Sequence, residues 1–286
     1  MKVYKDSQTM RGWSRQCRMN GRTIGFVPTM GALHEGHLSL MRAAARDNDV
    51  AAASIFVNPT QFAPHEDLDR YPRMLERDLE LAESAGIQAV FAPSPEVMYP
   101  SDFSTWISVE GVSQGLCGAS RPHFFRGVAT VVAKLFHIVE PDRAYFGQKD
   151  AQQCAVIRRM VRDLDMPIEI VEMPIVREPD GLAMSSRNLY LSADERSRAL
   201  CLSRALFAAL RRMREGERDA AAITDQVRRD MIGVDIDYVS LVDAETMQPV
   251  DTIDRRVLLA VAAFLPSARL IDNVIFDPAH PEGNAP

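Results

Sequence analysis

The sequence predicts an α/β protein, with a Rossmann-like parallel-sheet domain followed by a second, smaller α+β domain. Short, continuous apolar runs recur over roughly the first 176 residues, and amphipathic segments with helical spacing separate them. Continuous apolar strands alternating with helices are typical of a parallel sheet covered on both faces. The pattern then changes, because two helices precede three strands joined by short polar turns, which favours antiparallel pairing.

The first half of the parallel sheet is predicted from three strands and two helices. TIGFVPT is the first strand, and the helix HLSLMRAAARDN follows a glycine-containing turn, with Leu38, Met41 and Ala45 at helical spacing. VAAASIFVNPT is the second strand. It leads to a helix predicted over residues 67–86, ending at Gly86, and to the third strand, IQAVFAP.

The chain then becomes irregular before the same alternation resumes. After Pro93, a long segment rich in Gly, Ser and Pro contains one short predicted strand at Thr105–Val109. The helix FRGVATVVAKLFHIV, the strand RAYFG, the helix AQQCAVIRRMVRDL and the strand IEIVEMPIV follow. These elements bring the predicted number of strands to five or six.

The second domain begins with a long helix whose start is marked by Ser192 and Glu195, which have the spacing of a capping box. A second helix is predicted over roughly Asp219–Ile232, before the strands IDYVSLVDAETM, RVLLAVAAFL and ARLIDNVIF. We place the boundary between Val176 and Ser192, which gives domains of residues 1–180 and 181–286.

Composition excludes several classes of protein. The net charge of −6 argues against a duplex nucleic-acid binder, because such proteins usually gather excess Lys and Arg. No run approaches the about 18 to 20 apolar residues needed to cross a bilayer, and the N-terminal residues have no signal-peptide pattern. We therefore expect a cytoplasmic protein with no membrane partner. The four cysteines lack zinc-site spacing, so free thiols are expected.

The motif HEGH places His34 and His37 three residues apart at a strand-to-helix junction. Residues with this spacing share one helix face, and their side chains lean back over the end of the preceding strand, where open α/β sheets bind ligands. The helix start offers unpaired N–H groups and partial positive charge, which suit a phosphate. Gly36 leaves a surface against which a base or sugar can lie.

Two other interpretations of HEGH stay open on spacing alone. The histidines could be core residues bonded to backbone carbonyls, or they could bind a metal ion. The spacing differs from the HExxH of zinc proteases, so Glu35 is not placed as a general base.

Three more polar clusters follow predicted strands, and we expect them to meet at one edge of the sheet. Asn58 and Gln61 in FVNPTQF are amides suited to a small polar substrate, and a turn that caps the strand is the alternative. FGQKDAQQ contains Lys149 and Asp150, and a lysine there suits developing phosphoryl charge, although exposed loop lysines are common. DGLAMSSRN offers hydroxyls and a guanidinium for a mobile phosphate-binding loop, or is a simple linker.

Together these motifs resemble those of the pantothenate synthetases, the pantoate–β-alanine ligases of coenzyme A biosynthesis. PTMGALHEGH, FVNPTQF, FGQKD, QQ and MSSRN occur in the order and at about the separations of that family, and the resemblance covers Val3 to Asp277. HxGH followed by a Ser-rich basic loop also resembles the HIGH and KMSKS motifs of the wider nucleotidyltransferase and class I aminoacyl-tRNA synthetase group.

The resemblance implies a two-step reaction with ATP as substrate and Mg²⁺ as cofactor. Pantoate attacks the α-phosphorus to give pantoyl adenylate and pyrophosphate, and β-alanine then displaces AMP to form pantothenate. His34, His37 and Lys149 are assigned to charge neutralisation, and His37 is a candidate proton donor to pyrophosphate. The family also implies a homodimer formed through the first domain.

The resemblance also assigns binding residues. ATP contacts are expected from Met30, Gly31, Ala32, Leu33, His34, Glu35, Gly36, His37, Gly147, Gln148, Lys149, Asp150, Val176, Met184, Ser185, Ser186 and Arg187. Pantoate and β-alanine contacts are expected from Gln61, Gln153, Asn58 and Arg121.

The sequence departs from the family pattern at three positions. Asp78 matches one member of an acidic pair that helps to hold Mg²⁺ in some relatives, but its partner position is Arg77, so phosphates and water are expected to supply most metal ligands. Gln148 stands where Glu is common and His123 where Gly is common. Neither change touches HxGH or SSR, so altered affinities and retained chemistry are expected.

The same residues distinguish the ligase activity from two rival functions. A nucleotidylyltransferase acting on a phosphorylated acceptor needs a further basic pocket, whereas this chain offers amides at Gln61 and Gln153. A non-catalytic nucleotide-binding protein has no reason to keep Lys149 together with both histidines and the SSR loop.

Overall fold

The computed structural model describes residues 1–63 and 66–283, and the chain divides into two compact units. The first unit comprises residues 1–109, 121–147 and 156–174, and the second comprises 110–120, 148–155 and the chain from 175 onward. Two short segments from within the predicted first domain, residues 110–120 and 148–155, therefore belong to the second unit. The last three residues of the predicted second domain lie outside the described part of the chain.

The first unit is built on a six-stranded parallel sheet, which confirms the predicted α/β class. The strands are β1 Lys2–Tyr4, β2 Ile24–Thr29, β3 Val50–Ile55, β4 Ala89–Phe91, β5 Arg143–Gly147 and β6 Glu169–Met173. Their order across the sheet is β1-β4-β3-β2-β5-β6, and every pairing is parallel. Residues of β2, β3 and β4 are almost completely buried, as expected for central strands covered on both faces.

Helices connect these strands, and further helices belong to the second unit. They are α1 Ser7–Met19, α2 Glu35–Asp47, α3 Leu75–Ser84, α4 Pro95–Met98, α5 Cys117–Ser120, α6 Phe124–Val139, α7 Ala151–Asp163, α8 Ala193–Arg214 and α9 Ala220–Asp230. β1 and α1 are additional to the elements that the sequence predicted. In the described part of the chain, none of the helices combines the length and apolarity required to cross a bilayer.

The strand order places a topological switch point between β2 and β5. From β2 the chain adds β3 and β4 on one side of the sheet, and it later adds β5 and β6 on the other side. Loops leaving the carboxyl ends of two strands at such a point diverge and open a crevice, which is where open α/β sheets bind ligands. The HEGH loop leaves β2 at this position.

The second unit contains a three-stranded antiparallel sheet, as the short polar turns predict. Its strands are β7 Asp235–Asp243, β8 Val257–Phe264 and β9 Arg269–Phe276, in that order. The predicted capping box of α8 is also confirmed, because the Ser192 N–H donates to Glu195 Oε2 at 2.9 Å and the Glu195 N–H donates to Ser192 Oγ at 3.3 Å.

Two predicted elements are wrong in detail. The helix predicted over residues 67–86 begins only at Leu75, since Pro72 lacks an N–H and disfavours helical backbone at Tyr71. The strand predicted at Thr105–Val109 does not form. The Ile107 N–H instead donates to Thr130 Oγ1 on α6 at 3.0 Å, so a helix side chain takes the place of a strand partner.

Candidate functional site

The loop after β2 has an uncommon backbone conformation. Gly31 and Ala32 both have positive φ, +80° and +50°, which glycine adopts freely but alanine rarely does. The Thr29 hydroxyl accepts the Gly31 N–H at 3.2 Å and donates to the Ser54 carbonyl of β3 at 2.7 Å. The loop therefore begins from a fixed point at the end of β2.

Asp78, on α3, binds the backbone of this loop through both of its carboxylate oxygens. Its Oδ2 accepts the Ala32 N–H at 2.9 Å and its Oδ1 accepts the Leu33 N–H at 2.8 Å, and the residue is 1% exposed. A Cβ on Gly31 would lie 2.9 Å from Asp78 Oδ2, so glycine is also required by the close approach. These contacts describe a carboxylate that holds the loop; its assignment to Mg²⁺ stays a prediction.

His34 and His37 lie together at the start of α2. Their ring centroids are 4.1 Å apart, and the His34 N–H donates to His37 Nδ1 at 3.3 Å. Because Nδ1 of His37 is an acceptor, the neutral ring carries its proton on Nε2, which makes Nε2 a donor. Glu35 points to a different partner, since it forms an exposed ion pair with Arg42. Two imidazoles thus share the helix N-terminus at the switch point.

Asn58 is the centre of a buried amide network after β3. It is 1% exposed, and its Nδ2 donates to Gln61 Oε1 at 2.9 Å and to the Gly127 carbonyl at 3.2 Å. Its Oδ1 accepts the Tyr99 hydroxyl at 2.9 Å. Burial raises the pKa of Tyr99, which keeps this hydroxyl protonated as a donor. Asn58 therefore orients Gln61, whose Nε2 points to the Met30 sulfur at 3.2 Å.

Gly127 is required where α6 approaches this network. A Cβ at this position would lie 2.5 Å from the Thr60 carbonyl oxygen and 3.0 Å from the Gln61 nitrogen. The short helical turn Pro59–Gln61 thus rests directly against α6. The first unit brings Gln61 beside Met30, so one predicted pantoate residue lies next to the loop that precedes HEGH.

Arg121 is engaged within the first unit. Its Nε donates to Glu66 Oε1 at 2.6 Å and its Nη2 donates to the Gln61 carbonyl at 2.9 Å, while the guanidinium stacks on Phe124 at 3.9 Å. The pair is largely buried. Arg121 therefore touches the Gln61 backbone, and its predicted contact with substrate stays a prediction.

In the second unit, Asn273 of β9 holds the segment that carries Lys149. Asn273 Nδ2 donates to the Gln148 and Lys149 carbonyls, each at 3.0 Å, and Asn273 Oδ1 accepts from Gln148 Nε2 at 3.1 Å. Lys149 Nζ lies 3.8 Å from Asp150 Oδ2. The Lys149 backbone is thereby fixed two residues beyond Gly147, the last residue of β5.

The preceding residue, Asp272, anchors the other predicted ATP-binding segment of this unit. Arg177 donates to both Asp272 oxygens, at 2.7 and 3.0 Å. Burial raises the pKa of Asp272, and the Arg177 charge opposes that rise. The Met184 N–H donates to the Val176 carbonyl at 3.0 Å, so this ion pair fixes a hairpin that contains both residues.

The SSR motif forms a short helical turn, Ser186–Tyr190, after this hairpin. Ser185 is its N-cap, and its Oγ accepts the Arg187 N–H at 3.3 Å. Asn188 donates to Glu178 Oε1 at 3.0 Å and to the Ala183 carbonyl at 3.1 Å, which ties the turn to the hairpin. The second unit therefore brings Val176, Met184, Ser185, Ser186 and Arg187 into one substructure.

Two neighbouring glutamines at the start of α7 have different surroundings. Gln152 is buried and donates to the Val112 and Gly115 carbonyls at 3.0 and 2.8 Å, while its Oε1 accepts the Cys117 N–H at 3.0 Å. Gln153, the predicted pantoate ligand, is only partly buried. Gln152 is therefore a structural residue, and the contact of Gln153 with pantoate stays a prediction.

Sequence reasoning missed the residues that support the site. Tyr99, Arg177, Asp272 and Asn273 carry no motif. A signal exists for the last two, since adjacent Asp and Asn interrupt an otherwise apolar buried strand, and buried polar residues are uncommon without partners. Within residues 1–63 and 66–283, no three His, Cys, Asp or Glu side chains form a group that could hold a metal ion. All four cysteines are free.

Comparison with known proteins gives the same family from sequence. The profile of the Pantoate-beta-alanine ligase family matches residues 2–275. A pantothenate synthetase of Thermotoga petrophila is 57% identical over 96% of this chain and 99% of its own. A pantothenate synthetase of Moorella thermoacetica is 55% identical over 97% of this chain and 99% of its own.

Solved structures agree with the described fold. Pantothenate synthetase from Thermus thermophilus has a TM-score of 0.90 at 45% identity, covering 96% of this chain and 99% of that one. Pantoate-β-alanine ligase from Francisella tularensis, solved with β,γ-ATP and β-alanine, has a TM-score of 0.79 at 32% identity and covers 98% of both chains. With the family profile spanning nearly the whole sequence, this chain belongs to the pantoate–β-alanine ligase family.

Proposed function

We propose that this chain condenses pantoate with β-alanine at the expense of ATP, through a pantoyl adenylate, and releases AMP and pyrophosphate. The observation that carries the proposal is the His34–His37 pair on the first turn of α2, at the switch point of the sheet, in a member of this family. The Francisella relative was solved with an ATP ligand and β-alanine, which supports these two substrates.

In the first step, a pantoate carboxylate oxygen attacks the α-phosphorus and the bond from that phosphorus to the bridging oxygen breaks. A carboxylate is already ionised at neutral pH, so the step needs in-line positioning and charge neutralisation instead of a strong base. His37 Nε2 is a hydrogen-bond donor in the neutral ring and is assigned to the phosphates, together with His34. The N–H groups at the start of α2 add partial positive charge.

In the second step, the β-alanine amine attacks the acyl carbon and the bond to the AMP oxygen breaks. Gln61 is oriented for the pantoyl group by Asn58, and Gln153 is assigned to the same substrate. Amides recognise a hydroxy acid without adding a fixed charge beside the reacting carboxylate. In this proposal the predicted domain of residues 1–180 binds ATP and pantoate.

Lys149, Val176 and the Met184–Arg187 segment are assigned to ATP from the second unit. An ammonium and a guanidinium are suitable donors for phosphate oxygens. Two anchors on β9 hold these segments, and this supports their assignment as preorganised binding elements. The predicted role of residues 181–286 as a lid domain belongs to the same proposal.

Mg²⁺ is proposed to bind mainly to phosphate oxygens and water. Both Asp78 oxygens already accept a backbone N–H, and the described residues contain no cluster of three potential ligands, which fits a metal carried by the nucleotide. When bound, the ion would neutralise phosphate charge.

We also propose a cytoplasmic homodimer formed through the first domain, as the family resemblance implies. Size-exclusion chromatography with light scattering tests the dimer.

The test of the function is pyrophosphate release from ATP in the presence of pantoate, with and without β-alanine. We expect release to require pantoate, a single turnover without β-alanine, and continuous turnover with formation of AMP and pantothenate when β-alanine is added. Absence of pantoate-dependent release, in protein that is folded and binds ATP, would contradict the proposal.

A further inference from the structure

We propose that Asn273 is a positioning residue for Lys149, which it serves by fixing the backbone of the Gln148–Lys149 segment from β9. The inference rests on the proposed function, in which the Lys149 ammonium stabilises phosphate charge. Asn273 itself is not assigned any contact with substrate.

Three hydrogen bonds connect Asn273 to this segment, and they use both ends of its side-chain amide. Nδ2 donates to the Gln148 and Lys149 carbonyls at 3.0 Å each, and Oδ1 accepts from Gln148 Nε2 at 3.1 Å. Asn273 donates to the Gln148 backbone and accepts from the Gln148 side chain, so hydrogen bonds run in both directions between the two residues. No other arrangement of the Asn273 amide keeps all three bonds, because a carbonyl oxygen cannot donate.

Asn273 is itself rigidly placed. It is 3% exposed and lies in a strand whose register with β8 pairs it with Ala260. Its N–H donates to Asp272 Oδ1 at 2.7 Å, and both Asp272 oxygens accept from Arg177. The support for the Lys149 segment is thus a buried residue of β9 next to a buried ion pair, and not a surface loop.

Holding the backbone at residues 148 and 149 restricts where the Lys149 ammonium can reach. The lysine stem is flexible, but its range is set by the position of its Cα, and a charge-stabilising donor is weakened when it moves by about 1 Å. The segment is short, since the turn Gln148–Asp150 separates β5 from α7. Loss of Asn273 would therefore reduce turnover by displacing Lys149, although the lysine itself is still present.

A double-mutant cycle tests this dependence. We compare kcat and KM for Asn273→Ala, Lys149→Ala and the double variant. We expect about a tenfold loss of kcat for Asn273→Ala with KM for pantoate little changed, at least about a hundredfold loss for Lys149→Ala, and a double variant no more than about twofold below Lys149→Ala. Residues that act through one group lose their effect once that group is removed.

The control is Glu195→Ala in the same unit. Glu195 is another buried polar residue, and its carboxylate accepts the Ser192 and Ser267 N–H groups at 2.9 and 2.8 Å. We expect this variant to lower Tm while kcat stays within about twofold of the parent, because its hydrogen bonds go to Ser192 and Ser267, which are not assigned to substrate. Comparable losses of kcat in the control and in Asn273→Ala would contradict the proposal, since general destabilisation would then explain both.

The remaining outcomes separate this inference from the proposed function. Losses that multiply in the double variant, with Lys149→Ala strongly impaired, overturn the Asn273 inference alone. Near-normal turnover of Lys149→Ala overturns the role of Lys149 and, with it, this inference. If Asn273→Ala does not fold, Asn273→Ser replaces it in the cycle; a single hydroxyl cannot keep all three bonds, so we expect a smaller loss, about threefold, with the same non-additivity.

Discussion

At the scale of single residues, the site consists of motif residues and of distant residues that hold them. HEGH, Lys149 and the SSR turn are recognisable from neighbours in sequence. Asp78 bonds to a loop 46 positions away, and Asn273 bonds to Gln148 across 125 positions. No pattern of neighbouring residues predicts such pairs, because the two partners meet only in the folded chain.

His37→Ala tests the histidine pair. We expect turnover to fall by at least about a hundredfold, on the scale of losing one charge-stabilising donor in an active site. His137→Ala is the matched control, because this histidine is exposed on α6 and its Nδ1 lies 2.7 Å from the Ala133 carbonyl. Steady-state rates of pyrophosphate release measure both, and a near-normal rate for His37→Ala removes it from the catalytic residues.

Asp78→Asn separates two roles of one carboxylate. An asparagine has only one acceptor oxygen, so one of the Ala32 and Leu33 N–H groups is left opposite another donor. We expect a loss of about 1–3 kcal/mol in the free energy of unfolding without any Mg²⁺ or ATP, measured by urea denaturation. Unchanged stability of the free protein, together with a higher Mg²⁺ requirement, would instead indicate a metal ligand.

At the scale of elements, the helix ends that carry a capping signal were predictable, whereas the start of α3 was not. The α8 capping box follows from Ser192 and Glu195 alone, and Gly86 ends α3 with positive φ, +91°, as a helix-terminating glycine does. The irregularity after Pro93 was predicted, but the strand predicted at Thr105–Val109 was wrong. The Ile107 N–H bonds to the Thr130 side chain of α6, so a tertiary contact takes the place of strand pairing there.

The first turn of α7 provides an element-scale test with its own control. Gln153→Ala should raise KM for pantoate or abolish its use while ATP binding is kept, because the amide is assigned to pantoate. Gln152→Ala should instead lower Tm with little change in KM for pantoate, since it loses three backbone partners of its own unit. Pantoate titrations at saturating ATP, with melting curves, check both. Unchanged pantoate kinetics in Gln153→Ala would remove that residue from the pocket.

At the scale of the whole molecule, the two sheets followed from hydrophobic pattern and connection length. Long helical crossovers required parallel strands in the first unit, and short polar turns allowed antiparallel strands in the second. The assignment of residues 110–120 and 148–155 to the second unit could not be predicted, because it depends on packing between segments that are distant in sequence.

Acid unfolding of the whole chain contains a contribution from Glu195. Hydrogen bonds that Glu195 accepts from Ser192 and Ser267 lower the pKa of its carboxyl from 4.5 to about 2. Because the folded-state pKa is depressed, the stabilisation is complete above pH 4.5 and is lost as the pH falls towards 2. Glu195→Gln should therefore be less stable at pH 7, and the difference should close in this window. A pH-independent difference in urea unfolding would contradict this.

The transfer of an oxygen isotope tests the central claim most directly. Pantoate labelled with ¹⁸O in its carboxylate is incubated with ATP, Mg²⁺ and β-alanine, and the products are analysed by mass spectrometry. If the carboxylate attacks the α-phosphorus, AMP acquires one ¹⁸O for each pantothenate formed, because β-alanine cleaves the acyl–oxygen bond. Unlabelled AMP, or ADP with labelled phosphate, would contradict a pantoyl adenylate at the HEGH site.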